Sequence, residues 1–127
     1  MKTFDYSYDY DPPAPVAMVS LLSATTGLQV GPLQAFIDSG ADGTIVPQDY
    51  LEEIQASVTR ERFLRSQWGE RRRVLLYSVD VKIGDMLLYA CEVVGDNHSD
   101  ELILGRDVLN QLRVLLDGLG EAVEIWR

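Results

Sequence analysis

The chain has one cysteine, Cys91, and one histidine, His98, among 127 residues. A lone cysteine closes no intrachain disulfide, which points to a reducing compartment and to Cys91 as a small buried hydrophobe. His98 stands in the polar run 95–100 with no second histidine and no cysteine near it. That spacing suits no metal, and neither a metal nor another cofactor is expected. Serine, histidine and aspartate all occur, yet no nucleophile-elbow motif does, so a serine hydrolase is disfavoured. Positive charge is short too. Eleven Lys and Arg against 20 Asp and Glu leave a net charge of -9, which argues against nucleic acid or an anionic membrane as partner of the whole protein. No apolar run reaches the length of a membrane span, and the acidic N-terminus lacks the basic and apolar regions of a secretory signal. A soluble, cytosolic protein is the expectation. Long repeats, heptads and low-complexity tracts are also missing.

What is present reads as a globular domain. The hydrophobic fraction is 46% and the charged fraction 24%, enough for one modest core that oligomerisation would enlarge. Residues 1–15 form an aromatic, acidic strand followed by a Pro-rich linker, and residues 16–127 form the main domain. In the first segment Phe4, Tyr6, Tyr8 and Tyr10 alternate with Asp5, Ser7, Asp9 and Asp11. That period predicts one strand, which covers its own sheet or reaches a second subunit. A hairpin is predicted from residues 16–22 and 33–37, with Thr25-Thr26-Gly27 and Gly31-Pro32 as turn signals. A short helix is predicted over 47–54, opened by Pro47. A second hairpin joins 74–83 to 86–94 around Gly84-Asp85. Val108, Leu109 and Leu112 share one helical face, and residues 122–126 are β-prone.

The chemistry concentrates in Phe36-Ile37-Asp38-Ser39-Gly40-Ala41-Asp42, where an apolar strand delivers a carboxylate onto a tight turn. Burial disfavours a charged carboxylate, so Asp38 must be hydrogen-bonded, paired or held neutral, and each option suits acid/base work. Downstream a second apolar strand ends in Ile103-Leu104-Gly105-Arg106-Asp107-Val108-Leu109. Together these two segments resemble the retropepsin family, the single-domain aspartic proteases best known from retroviruses. The resemblance runs from about residue 16 to about residue 117.

It implies an all-β fold, a retropepsin-like acid-protease half-barrel with one or two short helices, working as a two-fold symmetric homodimer. It implies a peptide or protein substrate, with Asp38 from each subunit as the catalytic pair. Ser39 would brace the turns across the dimer, and Gly40 would let backbone approach the carboxylates. Ala41 and Asp42 would contact substrate backbone, Gly105 and Arg106 would support the turn, and Arg106 would pair with Asp42. Two carboxylates held near 3 Å share one proton, so one is base and the other acid. One chain carries one such turn, and a symmetric partner must supply the second.

The family's cleft is closed by a Gly-rich flap. The corresponding segment here, 65–71, has one glycine where several are usual, and Trp68 and Gly69 are its tip candidates for substrate binding. The alternative is a surface hairpin with Trp68 packed inward. Six of the eleven basic residues, Arg60, Arg62, Arg65, Arg71, Arg72 and Arg73, flank this segment. They form a solvated face beside acidic neighbours, or a functional patch that prefers acidic substrate segments or closes onto the chain's own acidic N-terminus. The altered flap and the aromatic N-terminus also admit a latent enzyme, or an inactive peptide-binding or dimerisation module of the same fold.

Overall fold

The computed structural model describes residues 1–65 and 68–127. Ten strands and two short helices form two sheets among these residues. The strands are β1 (Lys2–Asp5), β2 (Val16–Leu22), β3 (Gln29–Ile37), β4 (Ile45–Pro47), β5 (Ser57–Arg65), β6 (Arg71–Ile83), β7 (Met86–Asp96), β8 (Leu102–Leu104), β9 (Arg113–Asp117) and β10 (Ala122–Trp126). Helix α1 (Gln48–Glu53) follows β4, and α2 (Arg106–Leu109) follows β8.

The larger sheet has the order β2-β3-β8-β4-β7-β6-β5, and β2 also pairs with β6. The 13-residue β6 makes this closure possible. Its first part, through Ser78, pairs with β5, and Asp80 to Lys82 then pair with β2 along the same strand. Six strands therefore close on one another, and the β5–β6 hairpin projects from the ring. Inside, alternate residues of each strand fill the core: Val19 and Leu21 from β2, Ala35 and Ile37 from β3, Val79, Val81 and Ile83 from β6. That alternation is the period-2 signature of half-buried strands. The fold is all-β with two short helices, as expected. Among the described residues no helix is long and apolar enough to cross a membrane.

The smaller sheet has the order β1-β10-β9, all antiparallel. The alternating N-terminus is not one continuous strand. Pairing with β10 stops at Asp5, and the chain then folds back so that Ser7 and Ala14 exchange backbone hydrogen bonds. The donor-less Pro12 and Pro13 lie within this loop and cannot extend a ladder. The tyrosines consequently separate: Tyr8 is 75% exposed, while the Tyr10 ring packs on Phe36 with centroids 5.1 Å apart.

Gly31-Pro32, a turn signal by composition, lies inside β3. Gly31 has φ +126, and a Cβ there would sit 2.8 Å from Val19 O. Its role is to admit the β2 backbone where the β2–β3 register shifts between Val19 and Leu21. The helix expected over 47–54 is α1, with Pro47 as its N-cap residue. Of the segment 65–71 expected to form a flap, Ser66 and Gln67 lie outside the described residues. Trp68 and Gly69 are at the hairpin tip, and Trp68 is 81% exposed rather than packed inward.

Candidate active site

Parallel pairing of β3 with β8 sets Ala35 beside Leu102, Phe36 beside Ile103 and Ile37 beside Leu104. Both strands end at this level, so the residues after Ile37 and after Leu104 emerge side by side. The Asp38 N–H donates to Leu104 O at 3.0 Å, the last rung between them. Two loops then leave the sheet together, 38–43 and 105–107.

The first loop is a tight turn closed by Ala41 N–H to Asp38 O at 3.2 Å. The Gly40 amide donates to Asp38 Oδ1 at 2.9 Å. A carboxylate accepting a backbone N–H is held in orientation without losing its second oxygen. Asp38 is half-buried, and Ser39 and Gly40 are exposed. The carboxyl group thus stands at a surface while its backbone is fixed to the core sheet.

The second loop locks the first. The Arg106 N–H donates to Ala41 O at 2.9 Å, and its Nη1 donates to Ser39 O at 3.0 Å. Its Nη2 pairs with Asp42 Oδ1. The guanidinium therefore spans the turn from Ser39 to Asp42, using the planar fork that lysine lacks. This ion pair lies on the surface: the Asp42 side chain is 92% exposed and that of Arg106 45%. An exposed pair contributes at most about 1 kcal/mol, so the bonds to Ser39 and Ala41 matter more than the charge. Gly105 is where the loops meet most closely, facing the Gly43 carbonyl.

Sequence reasoning missed a third connection. Thr44 is fully buried, and its Oγ1 donates to Asp107 Oδ1 at 2.7 Å while accepting the Gly105 N–H at 3.0 Å. The Thr44 N–H donates to Asp107 Oδ2 at 3.2 Å, and the Val108 N–H donates to Asp107 Oδ1 at 2.8 Å. Asp107, in the first turn of α2, thereby fastens the helix to the strand that follows the turn. Thr44→Val is expected to lower stability by about 1–3 kcal/mol, since the Gly105 donor and one Asp107 bond lose their partner. Chemical denaturation measures it, and an unchanged midpoint would contradict the role.

Asp38, Ser39, Gly40, Ala41, Asp42, Gly105 and Arg106 thus form one cluster. Trp68 and Gly69 belong instead to the tip of the β5–β6 hairpin. Cys91 is buried in β7, and burial first, then the Asp107 carboxylate, pushes its thiol upward. Such a thiol is a poor nucleophile. Among the described residues no group of three His, Cys, Asp or Glu is placed to hold a metal ion.

The family model described as "gag-polyprotein putative aspartyl protease" matches residues 26–111, a span that includes both interlocked loops. The chain belongs to this family. Structural neighbours of this retropepsin-like protease agree. A retropepsin-like aspartic protease from Rickettsia conorii superposes with a TM-score of 0.67 at 11% identity, over 96% of this chain and 86% of that one. The EIAV protease in complex with the inhibitor HBY-793 gives 0.58 at 16% identity, over 85% and 93%. The retroviral protease-like domain of Ddi1 from Leishmania major gives 0.52 at 21% identity, over 88% and 89%. These likenesses establish the retropepsin fold. In sequence, the chain is 31% identical over 113 residues to DNA damage-inducible protein 1 of Candida glabrata, covering 83% of this chain and 25% of that protein. The chain spans about a quarter of that relative's length.

Proposed function

We propose that this retropepsin-like protease is a homodimeric aspartic endopeptidase in which each subunit supplies Asp38 to one shared dyad. The observation that carries this reading is the Asp38 carboxyl group. One oxygen is held by Gly40 N–H at 2.9 Å, and the other accepts no hydrogen bond among the described residues. A carboxylate so oriented is built to face something outside its own chain, and one chain has one such turn. The two-fold partner provides the second acid.

In the dimer the ionised Asp38 takes a proton from water as that water attacks the peptide carbonyl. The protonated Asp38 gives its proton to the carbonyl oxygen. Collapse of the tetrahedral diol breaks the C–N bond, and the amine leaves with a proton returned from the dyad. No covalent intermediate forms. Ser39 braces the two turns against each other, Ala41 and Asp42 bind substrate backbone, and the hairpin carrying Trp68 and Gly69 is the flap. A reducing cytosolic setting fits the one, buried cysteine.

Pairing of two copies along β9 is supported by its place at the end of the β1-β10-β9 sheet and by Leu115 and Leu116, 48% and 51% exposed. Sheet edges with apolar side chains favour strand addition. The double substitution Leu115→Asp, Leu116→Asp is expected to yield monomers by sedimentation and to lose cleavage in parallel. A dimer that persists unchanged would place the interface elsewhere.

The reading is tested by incubating the wild-type chain with a diverse peptide mixture from about pH 4 to 7.5, with products read by mass spectrometry. This range spans ordinary carboxyl titration and the raised value of a coupled pair. Internal cleavage whose rate per chain rises with protein concentration is expected. Absence of cleavage at every pH and concentration would overturn it.

A further inference from the structure

We infer that Arg62 makes this protease select a carboxylate side chain, Asp or Glu, at a fixed position on each side of the cut; the inference rests on the aspartic-peptidase reading above.

A pocket of about 300 Å³ opens beside the catalytic turn and is bordered by Asp42, Gly43, Arg62, Leu76, Glu92 and Asp107, among others. It joins the residues that immediately follow the turn to the inner side of the β5–β6 hairpin. Residues directly opposed across an antiparallel pair share a face. Arg62 opposes Val74 and Arg60 opposes Leu76, and Val74 and Leu76 are buried. The hairpin therefore turns Arg60 and Arg62 to the inward side, toward the pocket. Glu61 and Phe63 take the other side, where Arg73 pairs with Glu61 and Arg71 lies 4.8 Å over the Phe63 ring.

The charges around this pocket are spent unequally. Asp42 is paired with Arg106, and Asp107 accepts from Thr44 and Val108. Glu92 accepts two bonds from Arg60, at 3.1 Å from Nε and 2.6 Å from Nη2, and one from Thr59 at 2.8 Å. These bonds hold the Glu92 carboxyl below the usual carboxylate range, with Arg62 adding a smaller field. On the same inward side Arg72 is bound to Asp96 at 2.9 Å. Arg62 alone among the ionised groups of this pocket makes no hydrogen bond among the described residues. Asp42, Glu92 and Asp107 each already have a cationic or polar donor, so the one charge left unanswered is the Arg62 guanidinium, and it is an acidic substrate side chain that answers it. By two-fold symmetry the dimer has two such pockets, one on each side of the scissile bond.

The test is a positional-scanning library of end-blocked octapeptides cleaved by wild type, Arg62→Gln, Arg62→Lys, Arg62→Glu and, as control, Arg73→Gln. Wild type is expected to enrich Asp and Glu about threefold to fivefold at one position on each side of the cut, the range of an exposed ion pair. The enrichment should shrink at high salt. Arg62→Gln should lose it, Arg62→Lys retain part of it, and Arg62→Glu replace it with enrichment of Lys and Arg; Arg73→Gln should keep it. Cleavage without acidic enrichment, or enrichment indifferent to all Arg62 variants, would overturn the inference and leave the peptidase standing. No cleavage by wild type would overturn both.

Discussion

Asp38→Asn is expected to reduce peptide cleavage by at least about 10⁴-fold while leaving the dimer folded. General acid and general base catalysis are each worth roughly 10²–10⁴, and in a symmetric dimer one substitution replaces both members of the pair. Asparagine has the same shape, so its Oδ1 still accepts the Gly40 N–H now bonded to Asp38 at 2.9 Å. It cannot release or take a proton at working pH. Stability should change by less than about 1 kcal/mol, because that bond is kept and no core residue moves. Kinetics on a single cleavable peptide, with thermal unfolding of the same sample, separates loss of chemistry from loss of fold. A variant that cuts within a factor of ten of wild type would remove Asp38 from the mechanism.

Gly105→Ala should have the largest effect on stability at this site. A Cβ there would lie 2.4 Å from Gly43 O, 2.5 Å from Gly43 C and 3.0 Å from Ala41 O. All three are backbone atoms, so no rotamer change relieves the clash. The two loops would have to part, weakening the bonds from Arg106 N–H to Ala41 O and from Gly105 N–H to Thr44 Oγ1. Overpacking together with two strained bonds, one of them buried, predicts a loss of about 3–5 kcal/mol, which lowers the melting temperature by roughly 10–20 °C in a chain of this size. Gly40→Ala makes a useful contrast, because its Cβ meets only Asp38 Oδ1, at 3.1 Å. That substitution should disturb activity more than stability. An unchanged melting temperature for Gly105→Ala would mean that the loops are not interlocked as described.

The two loops were legible in the sequence because their chemistry is local. An apolar run into Asp-Ser-Gly, and another into Gly-Arg-Asp, each announce a strand end and a turn within a few residues. Their meeting depends on the parallel β3–β8 pairing across some 65 residues, which no local pattern encodes and the family resemblance supplied. The Thr44 to Asp107 connection had a faint signal: Thr44 is a polar residue just before the apolar strand Ile45–Pro47, and it proves fully buried. A buried hydroxyl requires partners, but nothing near it in sequence names Asp107.

Other misses have different causes. The tyrosine alternation of residues 4–10 is a true period-2 pattern, yet the strand stops at Asp5, where the β10 partner ends and the Pro-containing loop begins. Local periodicity yields there to the availability of a partner. Strand β9 was not anticipated because Leu115 and Leu116 are consecutive and both half-exposed, which breaks the alternation that identifies a half-buried strand. Asp42 and Arg106 were expected to pair and do so; the exposure of the pair follows from the turn being the outermost part of the loop. The inward side of Arg60 and Arg62 became visible only once the β5–β6 register was known.

The most direct test of the shared dyad is subunit mixing. Wild-type chain and Asp38→Asn chain, at constant total concentration well above that needed for dimer formation, are allowed to exchange and assayed on one peptide. If each active centre needs Asp38 from both chains, mixed dimers are dead and activity falls as the square of the wild-type fraction, to about a quarter at equal amounts. Activity that falls linearly, to about half, would show that one chain's Asp38 suffices and would contradict the account.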